Sequence, residues 1–263
     1  MVKRTGLALL VLGLLVLAVF GGRLGLLFVT MIVAAVAAGE LYRSLRAPGV
    51  QPAGAVGHLS IVALLVVGYA RGVRAPAVFP FVIAAALFLS FVLLLVRRDR
   101  ANATRATAAT LIPVLTVGLP AAYLVSMRSH GGGYRLAWVF VVTASACELG
   151  AVTLTWAFRR RALTPRARRT WEHLAGALSG AMLAAVIAVA GASPPFTWAR
   201  AIILGALVGV VLTTGDLVWA TIEDDLARSE PVVKRPRAIV LPRIGGALLS
   251  APVFFYVFRA LVS

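Results

Sequence analysis

The chain has 263 residues, of which 61% are hydrophobic and only 13% are charged, and its mean hydropathy is +0.96. A soluble domain carries about 25% charged residues, so this composition excludes an ordinary soluble protein and indicates an integral membrane protein. The net charge of +17 comes almost wholly from arginine. In a membrane protein such residues fix the topology and meet anionic headgroups, so we expect no nucleic-acid partner. The single cysteine, Cys147, excludes an intrachain disulfide and a cysteine-based metal cluster.

Long apolar runs bounded by charged residues, proline or glycine predict the membrane spans. Lys3 and Arg4 precede the first run as in a signal peptide, but further runs follow it, so we expect a retained anchor. The sequence therefore predicts one transmembrane domain over residues 1–263, an all-α, polytopic bundle of about nine helices. The nine runs lie near residues 6–21, 24–40, 56–70, 77–96, 108–126, 136–157, 174–191, 200–219 and 245–262.

The distribution of lysine and arginine predicts the orientation of the bundle. With nine spans, the side that holds the N-terminus receives 19 of the 26 Lys and Arg residues, and the other side receives 7. By the positive-inside rule the N-terminus is cytoplasmic and the C-terminus lies outside. The arginine-rich, alanine-rich composition is typical of a GC-rich bacterial genome, so we expect a multi-pass protein of the bacterial cytoplasmic membrane.

Two acidic residues are candidates for catalysis within the predicted spans. Glu148 lies in the middle of the sixth run, where a charge costs about 2.5–3.5 kcal/mol on insertion scales and usually faces an internal polar cavity. A protonated Glu148 that is hydrogen-bonded to a neighbouring helix is the alternative. Asp216 lies about one turn before the cytoplasmic end of the eighth run, where a carboxylate can reach a cavity and hold Mg²⁺. Glu40, at the end of the second run, is expected at the membrane interface.

The two largest cytoplasmic loops, 158–173 and 220–244, hold most of the remaining polar residues and form the candidate site. The segment "RRRALTPRARRTWEHLAG" carries six arginines, which can bind phosphate through bidentate hydrogen bonds. Positive-inside topology and headgroup contact are the alternative. Trp171 is a natural interfacial anchor, and Glu172 is a natural acid for the first turn of a helix. Glu223, Asp224 and Asp225 are expected to pair with basic residues such as Lys234.

Small residues recur at a spacing of four in GALSG (176–180) and GALVG (205–209). This spacing lets membrane helices approach closely. We expect these segments to serve packing within the bundle, with dimerisation as the alternative.

Several segments, in their order along the chain, resemble the phosphatidate cytidylyltransferase family, also called CDP-diacylglycerol synthases. The N-terminal "GGRLGLLFVTMIVAAVAAGELYRSL" is similar to the opening helices of that family, and Glu148-Leu149-Gly150-Ala151 stands where the family has Asp-x-Gly-Ala. "LTPRARRTWEHLAG" resembles the family's Lys-Lys-Thr-x-Glu-Gly loop, with His173 in place of the glycine. Gly215-Asp216-Leu217 matches its Gly-Asp-Leu, and "APVFFYVF" (251–258) resembles its closing helix.

The resemblance implies transfer of a cytidylyl group from CTP to phosphatidic acid, with Mg²⁺ and release of pyrophosphate. It implies that Asp216 and Glu148 are catalytic, with Asp216 as the metal ligand. It also implies that phosphate groups bind to a set of mostly basic residues. That substrate-binding set is Arg168, Arg169, Thr170, Glu172, Lys234 and Arg243.

The C-terminal signature departs from the family pattern. Ala220 stands where the family has a serine, and Glu223-Asp224 replaces a Lys-Arg pair. Gly245 stands where the last aspartate of the signature belongs, although Arg243 matches the arginine before it. The alternative hypothesis is therefore a non-catalytic relative that binds a lipid phosphate or modulates a membrane partner, as a homodimer or with another protein. A small transporter is a weaker alternative, because no inverted repeat is visible.

Overall fold

A computed structural model describes residues 13–14, 18, 20–46, 50–97, 102–128, 135–158, 171–189, 197–229 and 240–262. The described residues are almost all helical and form no strand, which confirms the all-α prediction. Among these residues, eight helical segments are long and apolar enough to cross a membrane, so the chain is a multi-pass membrane protein. The first predicted span, 6–21, lies mostly outside the described residues.

In the described part of the chain, nine α-helices make up these eight spans, because a π-helical turn divides one span. Residues Gly72–Ala77 extend the second helix as a 3₁₀ turn, and Val114–Gly118 form the π turn. The helices are α1 (Gly22–Leu45), α2 (Gly54–Arg71), α3 (Phe79–Arg97), α4 (Ala103–Pro113), α5 (Leu119–Met127), α6 (Arg135–Phe158), α7 (Trp171–Val189), α8 (Trp198–Ser229) and α9 (Leu241–Val262).

The predicted loop over 220–244 is shorter in the structure than the sequence indicated. Helix α8 continues through Ser229, and α9 already begins at Leu241. The apolar run stops near residue 219, but no proline or glycine follows it until Pro231. A helix that leaves the apolar region can therefore continue in water, since helix propensity does not depend on hydrophobicity alone. The acidic residues 223–225 consequently lie on a helix.

Helices α6, α7, α8 and α9 pack side by side in chain order and make the most extensive contacts of the molecule. Their interfaces contain glycines at points of close backbone approach. A Cβ at Gly176 or Gly180 of α7 would collide with the backbone of α6, and a Cβ at Gly205 would lie 2.8 Å from the backbone of α7. The small-residue segments thus serve packing within the chain, as predicted, because small residues permit close helix contact in membranes.

The other helices form a second group around α2, and they join the first group through α9. Helix α2 contacts α1, α3 and α5, while α9 contacts both α5 and α1. Pro113 precedes the π turn, and Gly118 at its end leaves room for Ile61 of α2. The junction with α9 is aromatic at one end of the bundle, where Tyr123 and Tyr256 form a hydroxyl–hydroxyl hydrogen bond of 2.8 Å.

Candidate functional site

Asp216 lies on α8, and protein atoms surround its side chain. Only 3% of the residue is exposed. Gly246 of α9 packs directly against the carboxylate, since a Cβ at this glycine would lie 2.6 Å from Oδ1 of Asp216. Gly215 packs on the same glycine, with 2.8 Å between its Cβ position and the Gly246 Cα. The two glycines therefore bring α9 against the one turn of α8 that carries the candidate metal ligand.

Glu148 lies in α6, as predicted, and is also buried, with 9% of its surface exposed. The glycine contacts fix its level in the bundle. Ala146 lies against Gly180, and Gly150 lies against Gly176. Glu148 is therefore level with residue 178 of α7.

The depth of Asp216 in the bundle follows from the contact between α7 and α8. Leu178 of α7 packs against Gly209 of α8, so Glu148 is level with Gly209. Asp216 comes seven residues after Gly209, which is about 10 Å along a helix axis at 1.5 Å per residue. The two acidic residues thus lie at different depths, and Asp216 is the nearer to the inner face. We use "inner face" for the face at which α1, α3, α6 and α8 end, which is predicted to be cytoplasmic.

The same register brings other polar residues of α6 and α7 to the level of Asp216. Glu172 and His173 lie in the first turn of α7, and the first-turn position of Glu172 confirms the sequence prediction. His173 is buried, and its Nδ1 lies 3.5 Å from the hydroxyl of Thr155 on α6. The sequence predicted no role for Thr155, which is an ordinary residue of an apolar run, or for His173, which lies in the predicted loop 158–173. We call Thr155, Glu172, His173 and Asp216 the inner polar layer.

Glu40 has a role that the sequence did not predict. The carboxylate Oε2 accepts hydrogen bonds from the amides of Val240 and Leu241, at 2.9 and 3.0 Å. These amides belong to the N-terminus of α9, where a negative charge also interacts favourably with the helix dipole. Glu40 is only 7% exposed and lies near the end of α1 at the inner face, where it caps the start of another helix; its depth relative to the membrane interface stays a prediction.

The predicted phosphate-binding residues are only partly placed by the structure. Arg168, Arg169, Thr170 and Lys234 lie outside the described residues. Arg243 lies in the first turn of α9, which is the turn that Glu40 caps. Its backbone is therefore close to the same end of the bundle as Asp216 and Glu172.

The described residues offer few side chains that could bind a metal ion. Within the ranges that the structure describes, no group of three or more His, Cys, Asp and Glu side chains is arranged to hold a metal ion. Mg²⁺ does not require such a group, since it is often bound by one or two carboxylates together with water and substrate phosphates. Asp216 offers one carboxylate of this type, and its side chain is buried in the structure. Glu148, about 10 Å deeper by the register given above, is not placed to share an ion with it.

The comparison with protein-family models agrees with the motifs. A search of curated proteins found no match. The sequence model of the cytidylyltransferase family matches residues 2–223, which includes most of the helices and all four residues of the inner polar layer. The chain therefore belongs to the cytidylyltransferase family, the family of phosphatidate cytidylyltransferase, as its motifs indicated.

Proposed function

We propose that the protein transfers the cytidylyl group of CTP to the phosphate of phosphatidic acid in the bacterial cytoplasmic membrane. The observation that carries this proposal is the buried carboxylate of Asp216. It lies within the matched family region, in the Gly-Asp-Leu segment and in a polar layer near the inner face. Family membership supports the reaction type, and the transmembrane bundle supports a lipid acceptor.

The proposed reaction is a displacement at the α-phosphorus of CTP. An oxygen of the lipid phosphate forms a bond to this phosphorus, and the bond from the phosphorus to the bridging oxygen breaks. Pyrophosphate leaves with the electron pair of that bond, and the product is CDP-diacylglycerol. The reactants carry several negative charges, so catalysis depends on cations placed around the phosphates. Arg168, Arg169, Lys234 and Arg243 are the proposed cations of the chain, with Thr170 as a hydrogen-bond donor.

The proposed metal is Mg²⁺, and it would offset charge on the triphosphate when bound. Asp216 would hold it, because a carboxylate oxygen is the type of ligand that Mg²⁺ prefers. Glu172 lies in the same layer and would orient the basic loop that precedes it. Glu148 lies about 10 Å deeper than Asp216, so no part in binding the metal or the phosphates is proposed for it.

A second candidate function is a non-catalytic member that binds a lipid phosphate. The observation in its favour is the helical extension of α8. It carries Glu223, Asp224 and Asp225 beyond the level of Asp216, on the side from which a nucleotide would approach. Negative charge there opposes the binding of a triphosphate.

Turnover in a defined system tests the proposal. The purified protein in detergent–lipid micelles receives phosphatidic acid, Mg²⁺ and CTP labelled at the α-phosphate, and labelled lipid is measured. We expect product from the wild type and a loss of at least about 100-fold in Asp216→Asn, because removal of a key electrostatic group commonly costs that much. Thr214→Ala is the matched control, since Thr214 is an exposed residue of the same helix whose hydroxyl bonds to Val210 of that helix. Absence of product, with an intact family enzyme active in parallel, would favour the non-catalytic function.

A further inference from the structure

A pocket of about 700 Å³ lies between the end of α1 and the start of α2, at the inner face. It is separate from the inner polar layer, which α6, α7 and α8 build. Its volume is in the range of small-molecule sites. The lining residues are Gly39, Tyr42, Arg43, Arg46, Val50, Gln51, Pro52, Gly54, Ala55 and His58.

The charge of this pocket is positive. Arg43 and Arg46 line it, and the described lining contains no acidic side chain. The nearby carboxylate of Glu40 is directed to α9, where it accepts two amide hydrogen bonds. His58 is held in place because its Nδ1 donates to the carbonyl of Gly54, at 2.8 Å. Two guanidinium groups beside an ordered imidazole favour a phosphate group.

Two apolar surfaces lead from the membrane region to this pocket. A helix turns by 100° per residue, so the exposed apolar residues of α1 lie on the same side of that helix as Gly39, Arg43 and Arg46. The exposed apolar residues of α2 likewise lie on the same side of their helix as Ala55. Each surface therefore ends in the lining of the pocket. The exposed large apolar residues are Leu24, Phe28, Ile32 and Val36 on α1, and Leu59, Val62 and Val66 on α2.

We infer that this groove binds an anionic phospholipid, with its phosphate in the pocket and its acyl chains along the two apolar surfaces. The combination of cations at the inner face and exposed apolar side chains in the membrane matches the two halves of such a lipid. Gly39 leaves room for the headgroup, because a Cβ at this position would have only the His58 Nε2 as a neighbour, 4.0 Å away. The site does not depend on the proposed catalytic function, and it is tested by binding alone.

The test is lipid binding to the purified full-length protein, measured by native mass spectrometry and by titration with fluorescent lipids in detergent. The probes are phosphatidylglycerol as an anionic lipid, phosphatidylcholine as a zwitterionic lipid, and inorganic phosphate as a free anion. We expect saturable binding of phosphatidylglycerol and a roughly thirtyfold loss of affinity in Arg43→Gln/Arg46→Gln, because each basic residue near an anionic headgroup contributes about a factor of five.

Two further variants separate this site from general charge attraction. Arg71→Gln/Arg74→Gln removes the same charge from the opposite end of α2, where both arginines are exposed, and should leave binding unchanged. Gly39→Leu keeps both cations and fills the pocket, so it should weaken binding as the double variant does. Retained affinity in both Gly39→Leu and Arg43→Gln/Arg46→Gln would overturn the proposal.

Other occupants of the groove give different results. Inorganic phosphate that displaces the lipid at equal concentration would show an anion site without a lipid preference, and would overturn the lipid assignment. A dimer that dissociates in Arg43→Gln/Arg46→Gln, with no bound lipid in the wild type, would assign the groove to a second copy of the chain. Both results are read without any enzymatic assay, so a failure here is distinguishable from a failure of the proposed activity.

Discussion

Substitution of Glu40 by alanine removes the acceptor of two amides at the start of α9, those of Val240 and Leu241. The Leu241 amide is buried and the Val240 amide is partly buried. A buried donor that loses its partner costs about 1–3 kcal/mol, and a partly buried donor costs less because water replaces the acceptor. We therefore expect Glu40→Ala to lower the free energy of unfolding by about 2–3 kcal/mol.

A second substitution at this position separates the hydrogen bonds from the charge. Glu40→Gln keeps a carbonyl oxygen that can accept from both amides, and it loses only the charge. The expected cost is about 1 kcal/mol, the usual scale for a charge near a helix terminus. Because Gly246 of α9 packs on Asp216, we also expect Glu40→Ala to reduce turnover more than its effect on stability alone would.

The assay is equilibrium unfolding in mixed micelles with increasing amounts of a denaturing detergent. Thr214→Ala serves as the control, because this exposed hydroxyl bonds only within its own helix, and its cost should stay below about 0.5 kcal/mol. A Glu40→Ala variant as stable as that control would show that the carboxylate does not hold the start of α9.

Three further predictions concern packing and topology. Gly176→Ala places a Cβ against the backbone of Gly150 and should lower the free energy of unfolding by about 2–3 kcal/mol in the same assay. Gly54→Ala is the control, because its Cβ meets open space and the substitution should be neutral. Equal stability of the two variants would contradict the close α6–α7 contact. Tyr256→Phe removes the hydrogen bond to Tyr123 and should cost about 1 kcal/mol, so an unchanged midpoint would show that this bond is not formed. A C-terminal alkaline phosphatase fusion should be active and a fluorescent protein fusion dark, and the reverse pattern would contradict nine spans with an inner N-terminus.

The membrane spans were predictable because hydropathy and length are local properties of the sequence. Eight of the nine predicted spans correspond to helices of the structure. The helix ends were less predictable, since α8 continues to Ser229 well after its apolar run has ended. Helix formation in that extension depends on backbone hydrogen bonds and propensity, which apolar content does not report.

The contacts of the candidate site were harder to predict, because they join residues distant in sequence. The segments GALSG and GALVG indicated close helix contact, but they did not indicate that Gly150 is the partner of Gly176. That pairing is what fixes the levels of Glu148 and Asp216. Glu40 and the amide of Leu241 are 201 residues apart, and a backbone amide leaves no signal in the sequence. The motif resemblance identified Asp216, whereas only the packing shows that Gly246 encloses it.

The measurement that tests the central claim most directly is the balance between the two products of the reaction. Purified protein is incubated with phosphatidic acid, Mg²⁺ and CTP labelled at the α-phosphate, and the labelled lipid and the released pyrophosphate are quantified together. We expect equal amounts of both products, with both lost in Asp216→Asn and in the absence of phosphatidic acid. Pyrophosphate without labelled lipid, or labelled lipid formed equally well by Asp216→Asn, would contradict this expectation.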